Sequence, residues 1–207
     1  MTVLSLLEHP RHTDHLRLRD GTTLTVRLVA PDDGEALQRY FRNLSTRSRY
    51  TRFLGAMSEL PASQLDHFIH AGEDNRFSVV AALMIEGRET IVGEARYGFE
   101  EATSDFEFGI SIDDRWQGQG TGRALLPNLE CRAAALGSTR MFGDTLRSNE
   151  AMIALARKSD YVFVRHPDDW KLVRFEKAID PIHQDIPCAD WKLVAERRIA
   201  EAMVQGI

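Results

Sequence analysis

Gln117-Gly118-Gln119-Gly120-Thr121-Gly122-Arg123 sets three glycines on alternate positions between an alternating apolar stretch, Phe106 to Ile112, and a helical stripe of Leu125, Leu129, Ala133 and Leu136. Across this turn the period changes from two to 3.6, so a strand hands over to a helix, which Gly137 closes. Glycines let the backbone approach a ligand closely with its N–H groups exposed. The helix N-terminus adds about half a positive charge, which suits phosphate oxygens. A flexible surface turn is the alternative, and it leaves the alternation of glycines unexplained. The dinucleotide fingerprint wants a third glycine where Arg123 stands. The mononucleotide loop wants Lys then Ser or Thr after its last glycine, and neither follows Gly122. The pattern that fits is Gln-x-x-Gly-x-Gly, at Gln117, Gly120 and Gly122.

Outward from the turn, the chain alternates strand and helix. Upstream, Phe77–Glu86 is a strongly apolar strand, Glu86-Gly87-Arg88 its turn, and Thr90–Phe99 the returning strand, with Phe106–Ile112 completing a meander. Before it, Thr22–Leu28 reads as a strand, and helices start near Pro31, at Ser45 or Thr46, and at Pro61. Downstream, Arg140–Leu146 is a strand, Glu150–Lys158 a helix, and Tyr161–Arg165 with Lys171–Ala178 a hairpin. Pro127 lies inside the helix after the turn and is expected to kink it or loosen one turn. An interior glycine such as Gly109 often marks a bulge. A last helix is expected from about Pro187 to Val204, with a stripe of Trp191, Ala195, Ile199 and Met203 that would pack on the chain's own sheet or on a second copy, so a homodimer is a possible partner state. The order implies α/β architecture, a mixed sheet with helices on both faces. The boundaries read as an arm over 1–19, one domain over 20–180 and a helical extension over 181–207.

The composition fits one soluble domain. The chain has 207 residues, 43% hydrophobic and 28% charged, an ordinary globular balance. Its 26 basic and 31 acidic residues give a net charge of −5. Phosphate backbones call for a basic face, so nucleic acid is not an expected partner. Two cysteines, Cys131 and Cys188, make no disulfide framework or thiolate metal site, and Cys131 reads as a packing residue. The longest apolar run, Val79 to Ile85, falls far short of a membrane span. No signal peptide is evident in Met1–Leu7, so the expected location is cytoplasmic, with no membrane partner. His9, His12 and His15 lack the carboxylates or thiolates of a metal site, and no metal is expected.

The Gln117/Gly120/Gly122 pattern resembles the acetyl-CoA pyrophosphate loop of the GNAT superfamily of N-acetyltransferases. The preceding strand sits where that family has its fourth, Asn149-Glu150-Ala151-Met152 with Leu155 and Lys158 resembles the opening of its next helix, and the element order agrees over roughly residues 20–180. Leu18-Arg19-Asp20-Gly21-Thr22, Val26-Arg27, Asn43-Leu44-Ser45, Ser48-Arg49-Tyr50 and Arg52-Phe53 resemble the Pat-type branch of protein lysine acetyltransferases, here as a stand-alone domain. The resemblance implies a GNAT fold with a mostly antiparallel sheet, acetyl-CoA as co-substrate without a metal, and an amine acceptor, either a protein lysine or a small amine. It also implies cofactor contacts from Gln117, Gly118, Gln119, Gly120, Thr121, Gly122 and Arg123, from the backbone of Ile110, Ser111 and Ile112, and from Asn149, whose other reading is a helix N-cap.

Acyl transfer to an amine needs a base for the amine proton and N–H donors for the thioester carbonyl. By resemblance Glu107 is that base, and its two aromatic neighbours would partly desolvate it. Read alone, it is a solvated strand residue. Many superfamily members carry a tyrosine acid where this chain has Ala156; the Pat-type branch resembles it in having alanine. That leaves open a non-catalytic acyl-CoA-binding regulatory domain. Arg47, Arg49 and Arg52 read either as a salt-bridged helix face or as contacts to cofactor or acceptor, and the family's Gly-Phe after the lysine is replaced by Asp160-Tyr161.

Overall fold

The computed structural model describes residues 13–55, 57–69 and 76–180. The strands are β1 (Asp14–Arg17), β2 (Thr23–Leu28), β3 (Arg76–Ile85), β4 (Arg88–Glu100), β5 (Asp105–Ile112), β6 (Arg140–Leu146), β7 (Val162–Arg165) and β8 (Leu172–Ala178). The helices are α1 (Gly34–Asn43), α2 (Thr46–Phe53), α3 (Ala62–Ile69), α4 (Thr121–Leu136) and α5 (Glu150–Lys158), with 3-10 turns at Pro31–Asp33 and Asp114–Trp116. One sheet runs β1-β2-β3-β4-β5-β6-β8-β7. Its pairs are antiparallel except β5 with β6, as the α4 crossover between those two strands requires.

Each face of the sheet is covered. On one side Leu125, Leu126, Leu129 and Ala133 of α4 and Ala156 of α5 pack on Val79, Ala81, Phe106 and Phe108. On the other, Leu37, Tyr40 and Phe41 of α1 and Phe68 of α3 cover Val80 and Ile91. Burial on both faces accounts for the unbroken apolar reading of β3. Helix α4 continues through Pro127 as a single element, lacking the hydrogen bond that a proline nitrogen cannot donate.

Two expectations change. Gly109 is no bulge, because β4 and β5 stay in register from Gly93↔Ile112 to Glu100↔Asp105; the irregularity lies between β3 and β4 at Ala81/Ala82. Cys131, buried on α4, is disulfide-bonded rather than free. The described end of the arm is part of the sheet. Leu16 and Leu18 enter the main core, and the Asp14 carboxylate accepts from buried Arg132 Nη2 at 3.1 Å and Asn128 Nδ2 at 2.6 Å. The expected C-terminal helix lies outside the described residues. Among those described, no helix is long and apolar enough to cross a membrane, and no group of three or more His, Cys, Asp or Glu could hold a metal.

Candidate active site

The parallel pairing of β5 with β6 covers only Asp105↔Arg140, Phe106↔Met141 and Glu107↔Phe142. Beyond these the strands part, and a cavity of about 1030 Å³ lies in the splay, at the upper end of the range for small-molecule sites. Phe108 to Ile112 form one wall. Asp144, Thr145 and the first turns of α5 form another. Arg47, Ser48, Thr51 and Arg52 of α2 close one side, and the glycine turn closes an end.

The β4 pairing fixes which backbone groups of β5 are free. Asp113 N–H bonds Val92 C=O, so by alternation Ser111 also faces β4, while Ile110 and Ile112 turn their N–H and C=O toward the gap. The Ile112 carbonyl accepts from Gln117 Nε2 at 3.0 Å, which ties the turn to the strand and leaves the Ile110 N–H for a ligand. The expected backbone contact from Ser111 is therefore turned toward β4 rather than the gap.

At the turn, Gly118 (φ 73°) and Gly120 (φ 97°) are left-handed, conformations that strain any residue with a Cβ. Gly122 serves packing instead: a Cβ there would stand 3.0 Å from Leu155 Cδ2, so its absence lets α4 close on α5. The N-cap Gly120 provides no side-chain acceptor, and the first helical bond is Ala124 N–H to Gly120 C=O. The N–H groups of the first turn thus remain for an anion. Exposed Arg19, Arg47, Arg123 and Lys158 surround this end, none of them in an ion pair among the described residues. The turn, the N-terminus and these cations fit a pyrophosphate-bearing cofactor.

Two expected contacts face elsewhere. Thr121 is buried and its hydroxyl donates to Trp116 C=O at 3.2 Å, and the Gln119 amide donates to Arg115 C=O at 2.6 Å. Neither side chain lines the cavity. Asn149 lines it and is also the N-cap of α5: its Oδ1 accepts Met152 N–H at 3.2 Å and its Nδ2 donates to Thr145 Oγ1 at 3.0 Å. Asn149→Ala is expected to lower unfolding free energy by about 1 kcal/mol, with Asn149→Ser restoring most of it, as read by urea denaturation.

Glu107 is exposed and lies outside the cavity lining, one residue before it begins. Phe106 and Phe108 point into the opposite layer, where they pack in the core, so they do not desolvate it. Its own face carries Gly109 and Ser111, the side on which α2 stands. Ala156 is fully buried in the main core and offers no acid.

A polar network under the cavity was not legible in the sequence. Buried Glu94 accepts from Arg52 Nη2 at 3.0 Å and Ser111 Oγ at 3.1 Å, and Ser111 meets Tyr40 Oη at 2.8 Å. Burial and the nearby Glu94 charge push the Tyr40 hydroxyl well above its ordinary value, so it stays a neutral donor. Arg52 lies over Gly109, where a Cβ would come within 2.9 Å of Nη1. This close approach explains the strand glycine. Asp114 ties α2 to the turn, accepting from Ser45 N–H, Ser45 Oγ and Ser48 Oγ, each at 2.8 Å. Burial opposes its ionisation, yet these donors hold its carboxyl below the usual range. Arg49 turns away to the Leu44 carbonyl at 2.7 Å.

The glycine turn at a helix N-terminus beside an open strand edge has the shape of an acyl-CoA site. The chain belongs to the acetyltransferase (GNAT) family, whose model matches residues 32–161. It is 28% identical over 152 residues to Acetyltransferase PA5475 of Pseudomonas aeruginosa, covering 73% of this chain and 82% of that protein. The GNAT domain of S. lividans PAT superimposes with a TM-score of 0.73 at 26% identity, covering 81% of this chain and 97% of that one. The cAMP-binding acyltransferase from Mycobacterium smegmatis shares the fold, with a TM-score of 0.58 and 21% identity, covering 96% of this chain and 60% of that one.

Proposed function

We propose that this acetyltransferase moves the acetyl group of acetyl-CoA to a primary amine, a protein lysine, by direct attack in a ternary complex. The observation that carries this reading is the splay: it sets a cationic, glycine-lined anion site at one end of the same cavity whose other side holds carboxylates. The pyrophosphate rests on the N–H groups of the first turn of α4, Ile110 N–H polarises the thioester carbonyl, and the amine enters from the α2 face. A lysine ammonium must lose a proton before attack. Glu107 takes that proton, through a water given its place just outside the cavity. The C–N bond then forms as the C–S bond breaks, the sulfur leaves as thiolate, and the second proton of the amide nitrogen passes to that thiolate through solvent. Lysine is favoured over a small amine by the Pat-type N-terminal segments and by the likeness to S. lividans PAT.

Labelled acetyl-CoA tests the reading, with a lysine-containing peptide library and a panel of small primary amines as acceptors. Label is expected in peptide, at the lysine side chain. Label confined to small amines would move the acceptor class. Tight acetyl-CoA binding with no transfer to any acceptor would favour a regulatory acyl-CoA-binding domain.

A further inference from the structure

Two residues past the last β5–β6 pair, Asp144 projects from β6 into the cavity, on the same face as Phe142 and therefore on the acceptor side. Its carboxylate is held from behind. Arg174 on β8 donates to it twice, Nε to Oδ1 at 2.9 Å and Nη2 to Oδ2 at 2.7 Å. The Arg174 guanidinium itself lies over the Phe142 ring, 4.2 Å from the centroid, and feels the charge of Glu107 as well. On the other side, His166 Nε2 stands 3.4 Å from Asp144 Oδ2. The tautomer of His166 is fixed by its own hairpin, because Nδ1 accepts Asp168 N–H at 3.1 Å and Asp169 N–H at 2.9 Å. A ring nitrogen that accepts two N–H groups carries no proton, so the proton of neutral His166 is on Nε2, toward Asp144. Glu107, Arg174 and Asp144 thus form a charged chain across β5, β8 and β6, with His166 just past the end of β7 beside Asp144 and two carboxylates to one guanidinium.

We propose that Asp144 is the anchor for the acceptor's ammonium, and that Arg174 and His166 are positioning residues that hold its carboxylate at the mouth of the splay. This rests on the reading of the cavity as an amine acetylation site. A carboxylate has about four lone-pair positions. Arg174 occupies two, and His166 Nε2 stands 3.4 Å from Oδ2, which leaves room for a cationic N–H donor arriving through the cavity. The excess negative charge selects an alkylammonium over a neutral or anionic acceptor. The anchored nitrogen then lies between Asp144 and the proton acceptor Glu107.

The test is steady-state kinetics of Asp144→Asn with acetyl-CoA and a lysine-containing peptide, alongside acetyl-CoA calorimetry and thermal denaturation. The expected result is a KM for the peptide raised about tenfold or more with acetyl-CoA affinity unchanged, and a melting temperature lowered by the weakened Arg174 pair. A peptide KM within twofold of the wild-type value overturns the proposal. So does a parallel loss of acetyl-CoA affinity, since that is a general disturbance of the cavity. Should Asp144→Asn fail to fold, His166→Gln carries the test: a peptide KM raised about threefold with unchanged acetyl-CoA affinity supports the anchor, and no change overturns it. Wild-type protein that binds acetyl-CoA but acetylates no peptide removes the amine reading itself, a different failure from an inert Asp144.

Discussion

Gly120→Asp is expected to cost acetyl-CoA binding about thirtyfold or more while the rest of the domain stays folded. Two effects add. At φ 97° the new Cβ is strained, by roughly 1–2 kcal/mol for a residue outside glycine's range, and the turn relieves this by moving. The carboxylate also enters the proposed phosphate site. Like charges about 4 Å apart repel by about 1 kcal/mol in water and about 4 kcal/mol near a protein surface. Together these amount to roughly 2–6 kcal/mol, where 1.4 kcal/mol is tenfold in affinity. Gly120→Ala separates them, since it keeps the strain without the charge and should lose far less. Calorimetry decides: equal losses in the two variants would mean that backbone geometry alone governs the turn. A folded Asp variant with wild-type affinity would remove the pyrophosphate site from this turn. Space does not enter, because the nearest atom to a Cβ at 120 is Arg19 Cγ at 4.0 Å.

What the sequence made legible were features written in local pattern. Arg140–Leu146 and Glu150–Lys158 fall at the expected residues, because strand and helix periods change abruptly there. The glycine turn was legible because left-handed backbone at Gly118 and Gly120 leaves few other residue choices. Properties that depend on which strands meet were not. Gly109 reads as a bulge from β5 alone; its cause is Arg52, 57 residues away, held over it by Glu94 on another strand. The flanking aromatics of Glu107 suggested desolvation, but alternation sends them to the opposite face. Asp144, Arg174 and His166 looked like ordinary residues of a strand and a hairpin. Only the order β5-β6-β8-β7 brings the three together beside the cavity. Asp14 with Arg132 is the same case across 118 residues.

Glu107→Gln is expected to lower kcat by about 10²–10⁴, or roughly 3–5 kcal/mol of barrier, the usual share of a general base. The amide keeps the shape of the carboxylate and cannot take a proton. Glu107 is exposed on β5 and packs in neither core, so the variant should fold as the parent does. It lies outside the cavity lining, so acetyl-CoA affinity should hold. A fall in kcat at constant acetyl-CoA affinity is the signature of an interaction made in the transition state. The peptide KM should change little, because the ammonium is anchored at Asp144 rather than at Glu107. The two variants therefore divide the acceptor side: Asp144→Asn acts on KM and Glu107→Gln on kcat. Turnover of Glu107→Gln within about threefold of the parent would leave Glu107 a solvated strand residue whose role is to face Arg174. Proton removal would then fall to solvent or to Asp144, the carboxylate already inside the cavity, and Asp144→Asn would lower kcat as well as raise KM.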